Sequence, residues 1–167
     1  MVRLLLPMSM LSLLSIGAIF GFFYAWVCST MWGLDATDPR TAIAAMQAMN
    51  ASVRNAVFFP AFFMTPFILG ATAVLAAHKA QRRSAILFGL AAVLYFGGAF
   101  LVTAAINVPM NEALAEVIVP TDIDLARDVW QDYSSNWQVW NVLRTIVSGA
   151  CLLMTGLAVF FLNAKAA

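Results

Sequence analysis

The apolar residues of this chain fall into four long runs, at about 4–31, 56–78, 84–106 and 142–163. Each reaches the roughly 20 residues that a helix needs to cross about 30 Å of hydrocarbon. A soluble helix keeps one polar face, and these runs keep none, so they predict transmembrane helices. The expected fold is an all-α membrane protein, a four-transmembrane-helix bundle forming a single transmembrane domain over residues 1–167. The first run is longer than the roughly 7–15-residue core of a signal peptide and has no small-x-small cleavage site after it, so it reads as a retained anchor.

The pattern between the runs predicts more helix. Asp38-Pro39 is a helix start, a capping carboxylate followed by proline at the first helical position. Ile43, Met46, Met49 and Val53 then recur at helical spacing, opposed by Gln47 and Asn50, which predicts a short amphipathic helix at the membrane interface. Pro109 is expected to end the third span, with Met110, Leu114, Val117 and Ile118 marking another short helix as far as Pro120. Thr121 and Asp122 offer a cap for the fourth helix, which should begin well before its membrane span. Pro60 and Pro66 fall within the second span, where each removes a backbone donor and bends the helix.

Charge supplies an orientation. His78, Lys79, Arg82 and Arg83 crowd the short turn between the second and third spans, while the long loops at about 32–55 and 107–141 hold most of the acids. The positive-inside rule puts that turn in the cytoplasm, and Arg3 and Lys165 agree. Both termini are therefore expected to be cytoplasmic and both long loops extracytoplasmic, in a bacterial inner membrane.

Composition narrows the chemistry. The chain has 167 residues, 63% hydrophobic and 10% charged, so lipid must solvate much of its surface. A net charge of +1 and no large basic cluster exclude a nucleic-acid partner. The single histidine, His78, is expected far from the polar loops, and the nine methionines lie in apolar stretches. No metal site and no cofactor are expected. Cys28 and Cys151 sit in apolar runs and read as small hydrophobes. Gly17, Gly21, Gly89, Gly97 and Gly98 would let helices approach closely, within one chain or between copies in a homo-oligomer.

Two constellations could carry chemistry. Trp130, Tyr133, Trp137, Trp140 and Arg144 are spaced 3-4-3-4, one stripe of a helix, with Asn141 one turn beyond Trp137. They read either as an aromatic belt with a snorkelling arginine or as the lining of a pocket. Asn107-Val108-Pro109-Met110-Asn111-Glu112 is the second, where the amides could bond across the bundle or serve a ligand. Trp26, Trp32, Asn50, Arg54 and Asn55 reach the same rim from the outer ends of the first two spans and the loop between them.

These residues resemble the anthrone oxygenase-like family of integral membrane proteins. The similarity rests on Met31-Trp32-Gly33-Leu34-Asp35, Met46-Gln47-Ala48-Met49-Asn50 with Arg54-Asn55, Asn107-Val108-Pro109-Met110-Asn111, and Trp137 to Arg144, and extends over nearly the whole chain in order. The resemblance implies a four-span helical protein, and some fungal members oxygenate anthrones to anthraquinones without a metal or flavin. It implies an acidic C–H beside an aromatic ketone, with attack of the resulting enolate on dioxygen. Arg144, Asn141, Asn107 and Asn111 would then be the catalytic candidates, and Trp137, Trp140, Trp32 and Asn55 the substrate-binding ones. Glu112 and Glu116 are the nearest carboxylates for a base.

Two readings of different class remain. One is a cofactor-independent oxygenase of a hydrophobic aromatic substrate at the extracytoplasmic rim. The other is a non-catalytic accessory or assembly subunit of a larger membrane complex. A small transporter is disfavoured, because the spans hold no ionisable residue near their middle. An enzyme requires a cavity bordered by Trp137, Asn141, Arg144 and Asn107. An accessory subunit requires those side chains to satisfy one another.

Overall fold

The structure is a computed structural model and describes residues 2–163. Lys165, one of the charges behind the expected orientation, lies outside the described residues, as does the side chain of Arg3. Among the described residues there are four helices long and apolar enough to cross a membrane, those of an integral membrane protein. We label them α1 (Leu4–Asp35), α3 (Phe58–His78), α4 (Arg82–Ala115) and α5 (Ile123–Asn163), with α2 (Pro39–Ser52) between the first two. Each span packs on its neighbours in sequence and α5 closes the ring against α1, while the diagonal pairs α1–α4 and α3–α5 have no Cα atoms within 8 Å. α2 and the 116–122 connection cover one end of this ring, here called the loop end.

The bundle core is apolar, with Ile16, Ile19, Phe23, Leu69, Phe88 and Tyr95 all buried. Its buried hydroxyls are bonded, as burial in lipid demands, some back to their own helix, as Thr65 and Thr155 are to the Ala61 and Cys151 carbonyls, and some across helices. Ser12 and Thr72 hydroxyls lie 2.9 Å apart, and Ser84 Oγ donates to the Ala158 carbonyl at 2.9 Å. Pro66 has no N–H for the Phe62 carbonyl four residues earlier, and the Tyr95 hydroxyl of α4 donates to that carbonyl at 3.0 Å. Pro60 lies in the first turn of α3, where a missing donor costs nothing.

The α3–α4 turn is three residues long and places Ala80 at a φ of 56°, the left-handed conformation that ends a helix. Gln81 N donates back to the Ala76 carbonyl and Ala80 N to that of Ala77, closing the helix end. Of the small residues, Gly98 serves the closest approach: a Cβ there would meet Val147 at 2.9 Å. Gly21 and Gly97 face open space.

Pro109 does not end the third helix. α4 continues through it to Ala115, short of Pro120, by way of two π turns at Phe96–Phe100 and Thr103–Asn107. The reason is visible in its inward residues. Ala91, Tyr95, Ala99, Thr103, Asn107 and Asn111 recur every four positions, and an α-helix of 3.6 residues per turn would let that stripe drift by about 40° at each step. Wider π turns hold the stripe on the bundle side. A third π turn, Trp26–Thr30, lies at the same end of α1.

α2 begins where Asp38-Pro39 predicted. Asp38 Oδ1 accepts from Arg40 N at 2.9 Å, and the Arg40 side chain beside it holds the carboxyl down at about 2. α2 packs onto α5 and the end of α4 with Ile43 and Met46 buried. Gln47 and Asn50 do not form an opposing wet face. Gln47 Nε2 donates to the Leu114 and Val117 carbonyls at 2.8 and 2.9 Å, the carbonyls freed as α4 ends, and Asn50 is buried against Tyr133. A second apolar cluster thus forms above the bundle core, built from Met31, Ile43, Met46, Leu114, Trp130, Tyr133 and Trp137.

Candidate functional site

Between the two clusters lies a cavity of about 340 Å³, within the roughly 300–1,000 Å³ typical of small-molecule sites. All four spans and α2 reach it. Its walls are mainly aromatic, from Phe22, Phe23, Phe58, Phe62, Trp26 and Trp137. Phe22 and Phe58 rings lie 4.7 Å apart, and Trp26 and Trp137 rings 5.1 Å apart. Trp137, Asn141, Arg144 and Asn107 all border it.

The polar floor belongs to α5 and α4. Arg144 is 4% exposed and neither snorkels nor forms an ion pair among the described residues. Its Nη1 donates to Thr103 Oγ1 and its Nη2 to Asn141 Oδ1, each at 3.0 Å. Its Cζ lies 4.5 Å from the Phe23 ring centre and 5.3 Å from that of Trp137, a sandwich that suits a planar cation. Nε has no partner. Asn107 is 1% exposed, and neither its Nδ2 nor its Oδ1 has a partner. Unpaired buried polar atoms are costly and uncommon in native folds. Here three of them belong to two residues that line one cavity.

The other candidates divide. Asn141 is spent on Arg144 and on the Phe23 carbonyl, to which its Nδ2 donates at 3.1 Å, so it aims the guanidinium. Asn111 lines the cavity, yet its Oδ1 accepts from Tyr133 Oη at 2.8 Å and from Trp137 Nε1 at 3.0 Å. That indole N–H is therefore engaged, and Trp137 offers the cavity its ring. Trp140 lies off the inward line, in a shallow groove beside Met110 and Tyr133; Asn141 takes the place on the line that the 3-4-3-4 spacing gave to Trp140. Trp32 is 66% exposed. Asn55 Oδ1 accepts from Val57 N and Phe58 N, shaping the start of α3 outside the cavity.

Several contributors escaped the sequence reading. Thr103 precedes Asn107 by four residues, a spacing that could have shown it. The phenylalanine walls carried no signal that separates a pocket from a core. Asp35 ties α1 to α5: Trp130 Nε1 and Ser134 Oγ donate to its Oδ1 at 3.0 and 2.7 Å, and Gln138 Nε2 to its Oδ2 at 2.9 Å. Trp130 and Tyr133 are thus fastened inside the fold and form no lipid-facing belt. At the cavity mouth Arg54 and Glu112 pair at 2.7 Å, both half-exposed; Glu116 is not part of the wall.

No group of three or more histidine, cysteine, aspartate or glutamate side chains is placed to hold a metal among the described residues. No match was found among curated proteins or among solved structures. A model of the anthrone oxygenase family matches residues 54–154, which include α3, α4, both unpaired groups of the cavity and the Arg54–Glu112 pair. The chain belongs to the anthrone oxygenase family.

Proposed function

We propose that the protein is a cofactor-independent oxygenase of a hydrophobic aromatic ketone of the anthrone type, with Arg144 and Asn107 receiving the ketone oxygen. The observation that carries this reading is the unspent donor capacity, at Arg144 Nε and Asn107 Nδ2, of two residues that line an aromatic cavity, with no carboxylate paired to the guanidinium among the described residues. Such donors favour an oxygen on which negative charge develops, and in a dry site they are worth far more than in water.

The reaction would run as follows. A proton of the ring methylene that lies across from the ketone, acidified through the arene rings that join the two, passes to a base, and the ketone becomes an enolate held by Arg144. Glu112 is the base we assign, the one carboxylate among the residues lining the cavity. The enolate carbon gives its electrons to dioxygen and forms a C–O bond, leaving a peroxide that takes up a proton. Loss of the second C–H proton breaks the O–O bond, water leaves, and the carbon becomes a carbonyl. One dioxygen is consumed and one water formed, with all four electrons supplied by the substrate carbon. The phenylalanines and the Trp137 face would hold the planar rings, and Asn141 and Asn111 would position Arg144 and Trp137.

The accessory-subunit reading requires these side chains to satisfy one another, and Asn107 satisfies neither of its amide atoms. The test is the purified chain in lipid nanodiscs, supplied with anthrone in air. The expected result is anthraquinone formed one-to-one with dioxygen consumed, and a fall in kcat of about 10²–10³ in Arg144→Met, the usual loss for one oxyanion donor. Oxidation no faster than in empty nanodiscs, or an unchanged kcat in that variant, would overturn the reading.

A further inference from the structure

We propose that the cavity is loaded sideways from the bilayer, through a window between α3 and α4. The proposal rests on the reading of this cavity as a site for a hydrophobic aromatic ligand.

α3 and α4 are in close contact near their shared turn and part toward the loop end. No Cα atom of α3 comes within 8 Å of Thr103–Asn107 or Val108–Ala115, although α3 still reaches the Phe96–Phe100 turn. The place where they separate is marked by aromatic rings. The Phe63 ring meets Phe100 edge-on at 5.5 Å, and Phe62 stacks on Phe100 at the same distance. Beyond this latch the helices leave a gap, and the cavity occupies it.

The gap has four sides. Phe63 and Phe100 form its sill, Phe59 of α3 and Val108 of α4 its jambs, and the Arg54–Glu112 pair bridges it at the loop end. Phe59, Phe63 and Val108 line the cavity and are 41%, 43% and 36% exposed. Wall residues this exposed border an opening, since a closed cavity would leave them buried. The surrounding flank is apolar, with Phe67, Phe96 and Leu101 exposed, so acyl chains meet this face. The only charged groups on the frame are Arg54 and Glu112, and they are already paired, which leaves the sides and sill as the route for an apolar molecule.

A water-insoluble aromatic ketone partitions into lipid, so lateral entry keeps it out of water at every stage. A group at a window changes the barrier in both directions, so it moves the rates of binding and release together and leaves their ratio nearly fixed. A group that only fills the cavity changes the ratio.

The experiment measures anthrone binding under nitrogen in phosphatidylcholine nanodiscs, where no turnover occurs, by stopped-flow quenching of tryptophan fluorescence. The binding rate should follow the mole fraction of anthrone in the lipid and ignore its total aqueous concentration. Val108→Trp should slow binding and release about tenfold each, Phe63→Ala should speed both, and Arg54→Ala should leave both within twofold. Rates set by the aqueous concentration, or sensitive to Arg54→Ala and indifferent to the two window variants, would overturn lateral entry. Binding through the window without turnover in air would overturn the oxygenase reading alone. Absence of anthrone binding would overturn both.

Discussion

Thr103 Oγ1 accepts a hydrogen bond from Arg144 Nη1 at 3.0 Å, which holds the guanidinium beside the one stretch of α4 where a buried amide has no partner. That amide, Asn107, lies one turn along the same face. A structural asparagine is kept for its hydrogen bonds; this one makes none with its side chain. Asn107→Leu should therefore raise stability, by about 1–3 kcal/mol, because it removes an unsatisfied buried amide and fills the same space with hydrocarbon. The same variant should bind anthrone at least tenfold more weakly. Thermal unfolding in nanodiscs and the binding assay check the two halves together, and a destabilised Asn107→Leu would return the residue to a structural role.

The Tyr95 hydroxyl stands in for the N–H that Pro66 lacks. Tyr95→Phe leaves the Phe62 carbonyl buried and unpaired, with an expected cost of about 1–3 kcal/mol. Pro66→Ala restores a local donor to that carbonyl, so in its background the Tyr95→Phe cost should fall to under half. A double-mutant cycle of unfolding free energies measures this coupling. Additive costs would show that the hydroxyl and the proline act independently.

Gly98 and Gly97 are neighbours with opposite expectations. A methyl group at position 98 would stand 2.9 and 3.0 Å from the two Val147 methyls, and a β-branched side chain in a helix has little rotamer freedom with which to move aside. Gly98→Ala should cost about 1–3 kcal/mol, as overpacking does, and Val147→Ala should recover most of it. Gly97→Ala meets nothing within 4 Å and should raise stability by about 0.5–1 kcal/mol, the preference of a helix interior for Ala over Gly. Equal effects at the two positions would contradict the close approach of α4 and α5.

Asp38 gives a pH dependence with a definite sign. Its carboxyl is held below the ordinary 3.8, down to about 2, first by the hydrogen bond from the Arg40 side chain. A carboxyl depressed in the folded state stabilises it fully above the unfolded value, and that contribution is lost as pH falls through the folded one. The start of α2 should therefore stay protected from amide exchange down to pH of about 4 and loosen as pH approaches about 2. Loosening centred above pH of about 4 would mean that Asp38 is not so held. Asp38→Asn should flatten the dependence, since an amide side chain still caps but does not titrate.

The number of spans, the start of α2 and the convergence of polar groups on one end could be read from residue order, because hydropathy, proline and capping chemistry act locally. The same holds for the rim position of Asn107 and Arg144, which topology alone brings near each other. What those residues do there could not. Spacings of three and four both keep a residue on a helical stripe, so only packing decided that Asn141 faces inward in place of Trp140. Pro109 looked like a helix end, yet the two π turns before it, which keep a four-residue stripe on the bundle side, let α4 run on to Ala115. Gln47 and Asn50 looked like a wet face, and both are bonded inward because carbonyls of α4 and a tyrosine of α5 needed partners. Asn111 and Asn141 stand beside Arg144 and Asn107 as candidates in residue order, and only their partners in space show that the Asn111 oxygen and both amide atoms of Asn141 are engaged. Satisfaction of a polar atom is a property of its neighbours in space, and residue order does not carry it. Order alone brought these polar groups to one end of four helices; the tertiary structure decided which of their polar atoms find partners.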